Sequence, residues 1–290
     1  MIQMDQFKFL LTGYGQGIVY CAVTFIFIVI AKRIADKRTV RFDDDHEIGE
    51  KSNAAVGLRR AGLYLAFAIG LAGSLGGKSV GFVNDIVWLL LDSVLITVCL
   101  FACREINDRL MLPNVNNDDE SQKGNVAVGL VECGMYLATG LVLNGAFFGE
   151  SADMVTGALS ALAFFALGQM VLLICGVVYE KILPFDIKGE IAAGNAAAGL
   201  ALGGMLVALG VILRDSVAGP FIGWIPDLIS FGMAAAFGIV MLLIFKKLTD
   251  IFLLPNADLS VEVARDRNVA ALALTEGVVI AMAVIISNVV

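Results

Sequence analysis

The chain has little charge and few residues suited to catalysis. Aspartate, glutamate, lysine and arginine make up 16% of its 290 residues, where a soluble protein of this length carries about a quarter. His46 is its one histidine, so a metal site built on paired histidines is excluded. Of its cysteines, only Cys99 and Cys103 lie close together, four positions apart. That is not the redox spacing, and no second pair completes a zinc site, so small apolar packing residues are expected. No phosphate-binding glycine loop, nucleophile elbow or His-Glu zinc motif occurs. The acidic run Asp43-Asp44-Asp45-His46-Glu47 reads as a solvated loop. These absences lead to the expectation of a protein without enzymatic activity, cofactor or metal.

What the chain does have is apolar length. It is 59% hydrophobic, with a mean hydropathy of +0.86. Eight stretches near 12–33, 53–74, 84–103, 125–147, 156–178, 195–213, 222–245 and 268–289 are each about long enough to cross a bilayer, which takes roughly 20 residues. The connections are short and leave little of the chain for a soluble domain. The expected fold is all-α, a polytopic membrane protein with eight transmembrane helices.

One phrase recurs four times: Asn53-Ala54-Ala55-Val56-Gly57, Asn125-Val126-Ala127-Val128-Gly129, Asn195-Ala196-Ala197-Ala198-Gly199 and Asn268-Val269-Ala270-Ala271-Leu272. The asparagines are 72, 70 and 73 residues apart, and nine positions after each comes a glycine, Gly62, Gly134, Gly204 or Gly277. Each phrase opens an even-numbered span, so the unit is a helix pair and the chain holds four. An even number of crossings returns the chain to its starting side, so the four units are parallel repeats. Leu112-Pro113-Asn114 recurs as Leu254-Pro255-Asn256, which groups the units into two four-span halves, 1–147 and 148–290.

Asparagine is a favoured N-cap, its side-chain oxygen accepting from free N–H groups at a helix start. Counted from each asparagine, positions +2 and +9 share one helix face and +4 lies on the opposite one. Gly57, Gly129 and Gly199 at +4, with the four glycines at +9, make both faces smooth and let neighbouring backbones approach. Spans 2, 4, 6 and 8 are therefore expected to be the inner helices, ringed by the bulkier spans 1, 3, 5 and 7. Four positive helix N-termini converging on one side could also bind an anion or a lipid headgroup.

Charges within spans are costly and face protein or water. They are Arg59 and Arg60 in span 2, Asp92 in span 3, Glu132 in span 4 and Glu276 in span 8. Arg60 and Glu132 both stand at +7, which predicts an ion pair between them that Asp92 could join. Arg59 is expected to point away and snorkel. These charges form either a dry register-fixing network or a wet path for ions or solute.

Lysine and arginine set the orientation. Fifteen fall in the loops after odd-numbered spans, against three (Lys8, Lys78 and Arg214) on the other side. The odd-numbered loops are expected to be cytoplasmic and both termini outside. The first span reads as a retained helix, with no basic region before it and a basic cluster after it.

The run Gly189-Glu190-Ile191-Ala192-Ala193-Gly194-Asn195-Ala196-Ala197-Ala198, followed by Gly203-Gly204, resembles the signature of YjfL-like bacterial membrane proteins, a family of unknown function. Val142-Leu143-Asn144-Gly145-Ala146 matches the family's closing segment, Ser287-Asn288-Val289 does so loosely, and Gly223-Trp224 falls where Trp-Gly often stands. The first half departs from the pattern at Ser52, where glycine is usual, and at Arg59-Arg60. The resemblance implies two family modules fused in one chain, a bacterial inner-membrane location and an envelope role beside membrane-stress proteins. It implies no cofactor. The expected partners are the lipid bilayer and a cytoplasmic membrane-stress protein, with no nucleic acid, and association into a homo-oligomer stays open. Two functions fit: a membrane scaffold, and a channel or small-solute carrier running among the even-numbered spans.

Overall fold

The computed structural model describes residues 2–39, 41–77, 79, 81–113, 115–149, 153–253 and 259–289. Lys78, Asn114 and the run Leu254-Pro255-Asn256 lie outside the described residues. Among those described, twelve helices form and no strand. Eight are long and apolar enough to cross a membrane, where a helix satisfies its own backbone groups.

The spanning helices fall into two sets by length. The short set opens on the recurring phrase: α3 (Ala54–Ser74), α6 (Val126–Ala146), α9 (Ala196–Val217) and α12 (Val269–Ser287). At 1.5 Å per residue, 21 residues cover about 32 Å, close to the thickness of a hydrocarbon core. The long set is α1 (Ile2–Arg38), α4 (Phe82–Leu110), α7 (Met154–Ile182) and α10 (Trp224–Leu253). A helix of 29 residues runs to about 44 Å. The long helices therefore overhang the short ones by roughly 10 Å on the basic side, and they carry residues expected in loops. Arg104 lies inside α4 and Lys246 inside α10.

Four further helices occupy the overhang: α2 (Asp44–Gly49), α5 (Asn117–Gln122), α8 (Ile187–Ala192) and α11 (Leu259–Ala264). One of them, α2, replaces the loop expected to be solvated. Asp43 caps α2 by accepting from the Asp45 and His46 N–H groups, and Asp44 and Glu47 are buried. Asn116 caps α5 in the same way. α5 touches α6 and α3, α8 touches α9 and α6, and α11 touches α12 and α9. Each of these three helices thus seats on the entry of its own short spanning helix and of the one before it.

The short spanning helices do not close into a ring. α3 packs on α6, α6 on α9 and α9 on α12, giving an open row with α3 and α12 at its ends. Their N-termini accordingly stand in line and do not converge on one site, and each is closed by its own asparagine. α4 lies against α3 and α6, α7 against α6 and α9, and α10 against α9 and α12. The long helices thus fill the grooves of the row and do not encircle it. The row continues without a break past residue 147, since α6 meets α9 through the same kind of contact as α3 meets α6.

That contact is glycine on backbone. A Cβ on Gly129 would stand 2.7 Å from the Ala55 Cα, and one on Gly199 would stand 2.7 Å from the Ala127 Cα. Lower down, Gly62 faces the Cys133 backbone, Gly134 faces Gly203, and Gly204 faces the Glu276 side chain. Lipid tails give helices no hydrophobic reason to associate, so such close backbone approach supplies the packing. Gly57 and Gly277, at the two ends of the row, meet nothing within 4 Å.

Candidate functional site at the basic ends of the short spanning helices

The recurring asparagines sit at the centre of this region. The Asn53 side-chain oxygen accepts from the Ala55 and Val56 N–H groups at 3.1 and 3.3 Å. Asn125 accepts from Val128, Asn195 from Ala197 and Ala198, and Asn268 from Ala271. The amide nitrogen of each does a second job. It donates to a glutamate in the preceding short helix: Asn53 to Glu47 at 3.2 Å, Asn125 to Glu120 at 3.2 Å, Asn195 to Glu190 at 2.9 Å and Asn268 to Glu262 at 2.8 Å. It also reaches across the row. Asn53 donates to the Ser121 carbonyl at 2.9 Å, Asn125 to Ile191 at 3.0 Å and Asn195 to Val263 at 2.8 Å. A glutamate five or six positions before each asparagine was the signal in the sequence that could have found these partners.

The buried charges are wired differently from expectation. Arg59, expected to point away and snorkel, is 1% exposed. Its guanidinium donates to Asp118 at 2.6 Å and to the Thr39 hydroxyl at 3.2 Å, and lies 3.9 Å from Glu132. Arg60, expected to pair with Glu132, instead pairs with Asp44 and Asp36. The physical reason lies in the row. Neighbouring residues on a helix diverge by about 100°, and the side of α3 on which α6 packs is the side to which Arg59 turns.

Glu132 is 2% exposed and accepts from the Ser121 hydroxyl at 3.0 Å. Arg104 of α4 donates to the same Asp118 oxygen at 2.6 Å, so one carboxylate bridges two guanidiniums. Burial pushes the Asp118 carboxyl up, but the guanidiniums of Arg104 and Arg59 outweigh it and hold the group below the usual carboxylate range. Asp108 accepts from Asn117 at 2.9 Å, tying α4 to α5. Asp92 does not join the network. It accepts from the Ser74 hydroxyl at the other end of α3.

The last unit has its own version. Lys246 of α10 donates to Glu276 of α12 at 2.6 Å, and its ammonium lies over the Tyr179 ring, 5.2 Å from the centroid. α9 carries Leu202 at the position of Glu132, and the polar link on that side comes from α7, whose Gln169 donates to Asn107 at 3.1 Å. At the opposite ends of the spans, Arg214 donates to Asn144 at 2.8 Å, and Asn144 donates to the Ile69 carbonyl at 2.7 Å. Arg214 thus lies within α9, one residue beyond the span bounds expected from hydropathy.

Leu100, Arg104, Glu132, Met135, Tyr136 and Thr139 help to line a crevice with room for about one water molecule. Glu132 Oε1, without a hydrogen-bond partner among the described residues, belongs to this lining, and Arg104 Nε there stands 3.5 Å from Asp108. Cys99 and Cys103 are buried and unbridged. Among the described residues no group of three histidine, cysteine, aspartate or glutamate side chains is placed to hold a metal ion.

Fold and site together define an all-helical, multi-pass membrane protein whose buried charges pair with residues of the spans and of the short helices at their basic ends. The chain belongs to the family described as Domain of Unknown Function (DUF350), whose model matches residues 9–147 and again 153–290. It is 24% identical over 232 residues to a UPF0719 transmembrane protein of Aquifex aeolicus (strain VF5), an alignment covering 80% of this chain and 84% of that protein. No solved structure matches.

Proposed function

We propose that the protein is a structural scaffold of the bacterial inner membrane, without catalytic activity. The observation that carries this reading is that the charges inside the spans are met by opposite charge or hydrogen bonds, beside a crevice with room for about one water molecule. Ions or solutes need a continuous wet path, whereas paired buried charges fix which helices meet and in what register. The excess of lysine and arginine on one side supports an orientation with the basic side in the cytoplasm and both ends of the chain outside. The short helices would then present charges such as Asp43, Asp45 and Asp119 to a cytoplasmic partner, for which a membrane-stress protein is the candidate.

A permeation protein is the second reading, and Glu132 Oε1, buried beside the crevice without a hydrogen-bond partner among the described residues, favours it. Ionic conductance of the purified protein in planar bilayers separates the two. The scaffold reading expects no conductance above lipid alone, for wild type and for Glu132→Gln. A conductance whose selectivity changes in Glu132→Gln would overturn it.

A further inference from the structure

We propose that copies of this chain join end to end in the membrane, α12 of one copy seating against α3 of the next, so that the row of short helices continues from chain to chain. This does not depend on the scaffold reading. It rests on a directional order of packing inside one chain, made by glycine on backbone at α3–α6 and α6–α9 and followed at α9–α12, where Gly204 meets the Glu276 side chain instead. Each helix offers one face forward, with alanine at +2, glycine at +9 and alanine at +13, and a different face backward. On α3 the forward residues are Ala55, Gly62 and Ala66, on α6 they are Ala127, Gly134 and Ala138, and on α9 Ala197, Gly204 and Ala208. All six of those alanines are fully buried.

α12 carries the same three residue types at the same positions, Ala270, Gly277 and Ala281, and all three are exposed. In lipid, an exposed stripe of small residues carries no argument alone. The matching vacancy at the other end of the row supplies one. The backward face meets its neighbour at +4, where Gly129 lies on Ala55 and Gly199 lies on Ala127. α3 keeps glycine there, Gly57, with nothing within 4 Å, and at +8 it has the exposed Ala61.

Two further features are incomplete in the same sense. Each of the other long helices packs on two short helices, whereas α1 packs on α3 alone, and it is the least buried span, at 11%. An α12 from a preceding copy would fill that groove. The amides of Asn53, Asn125 and Asn195 each donate to a backbone carbonyl of the next short helix, while among the described residues that of Asn268 reaches only Glu262. In a following copy, the exposed Gly49 and Glu50 would bring their carbonyls to the places held by Ser121 and Gln122. A contact of this heterologous kind propagates as an open row, or closes into a ring if the rotation allows.

The test is disulfide trapping of the full chain in membranes, in a Cys21→Ser background, with Ala61→Cys and Gly277→Cys combined. These positions correspond to Cys133 and Gly62 at the α3–α6 contact. The expected result is a ladder of dimers and longer products with the double variant and none with either single one. A missing ladder, or dimers with Gly277→Cys alone, would overturn the proposal, the latter because it marks a symmetric contact. Native mass spectrometry of Gly277→Leu gives the second readout. A Cβ there meets nothing within 4 Å in its own chain, so the variant is expected to unfold no more easily than wild type yet show only the single-chain mass where wild type shows multiples. Multiples that persist in Gly277→Leu, or a wild type of single-chain mass, would equally defeat it. Bilayer conductance, which judges the scaffold reading, is independent of both readouts.

Discussion

Gly134 of α6 lies on Gly203 of α9, so close that a Cβ on Gly134 would stand 2.5 Å from the Gly203 carbonyl oxygen and 2.6 Å from its Cα. Neither backbone can retreat without parting the two helices. Gly134→Ala is therefore expected to lower stability by about 1–3 kcal/mol, the usual range for overpacking a tight contact. Gly277→Ala, at the equivalent place on α12 where a Cβ meets nothing within 4 Å, is expected to leave the isolated chain at least as stable, since alanine favours a helix interior over glycine. Detergent-denaturation midpoints of the two variants check this, and equal shifts would contradict the directional row.

Arg59 joins two elements, holding Asp118 on α5 while standing beside Glu132 on α6. Arg59→Ala leaves the buried Glu132 and the half-buried Asp118 undercompensated, a change that costs up to about 3–5 kcal/mol where the pair is fully buried. Glu132→Gln keeps the position that accepts from Ser121 and removes one charge from a group with two guanidiniums, so its loss is expected to be smaller. The reverse order in the same denaturation experiment would make Arg104 the principal partner of Glu132.

The spanning helices and their asparagine caps were legible because both are local. Apolar length marks a span, and an asparagine before a run of small residues marks its entry. The arginine partners were not legible, because residues 59 and 60 differ only by a turn of about 100°, and which one faces α6 depends on the hand of the row. The four short helices were missed for another reason. Six residues carry too little periodicity to register, and acids such as Asp44 and Glu47 read as solvated until α3 and Arg60 are in place above them. The open row was hidden too, since glycines at +4 and +9 suit a ring as well as a line.

Acid should loosen α5 before the spans. The Asp118 carboxyl is held low by Arg104 and Arg59 against the opposing effect of burial, and that of Glu120 by hydrogen bonds from Lys123 and then Asn125. A depressed folded value means that the stabilisation is complete above the unfolded values, near 4, and is lost as pH falls through the lower folded ones. The protection of amides 117–122, measured relative to the intrinsic exchange rate at each pH, is expected to fall below about pH 4, and less steeply in Asp118→Asn. An identical pH profile in that variant would place the acid sensitivity on other carboxylates.

The residue just before each recurring asparagine must turn the chain from short helix to spanning helix, and in all four units it does so in the left-handed region. Gly124 and Gly194 take φ of 83° and 80°, while Ser52 and Arg267 take 54° and 50°. A side chain in that conformation costs about 1–2 kcal/mol that glycine does not incur, and glycine in turn gives back some stability through its freer unfolded chain. Ser52→Gly is therefore expected to raise the denaturation midpoint slightly, by no more than about 1 kcal/mol, whereas Gly124→Ala and Gly194→Ala should each lower it. Arg267→Gly is the weaker choice, because Arg267 also reaches Glu190 at 3.3 Å, although an exposed pair of that kind contributes little. A clear loss of stability in Ser52→Gly would mean that the serine side chain, and not the backbone turn, is what the first unit needs at that position.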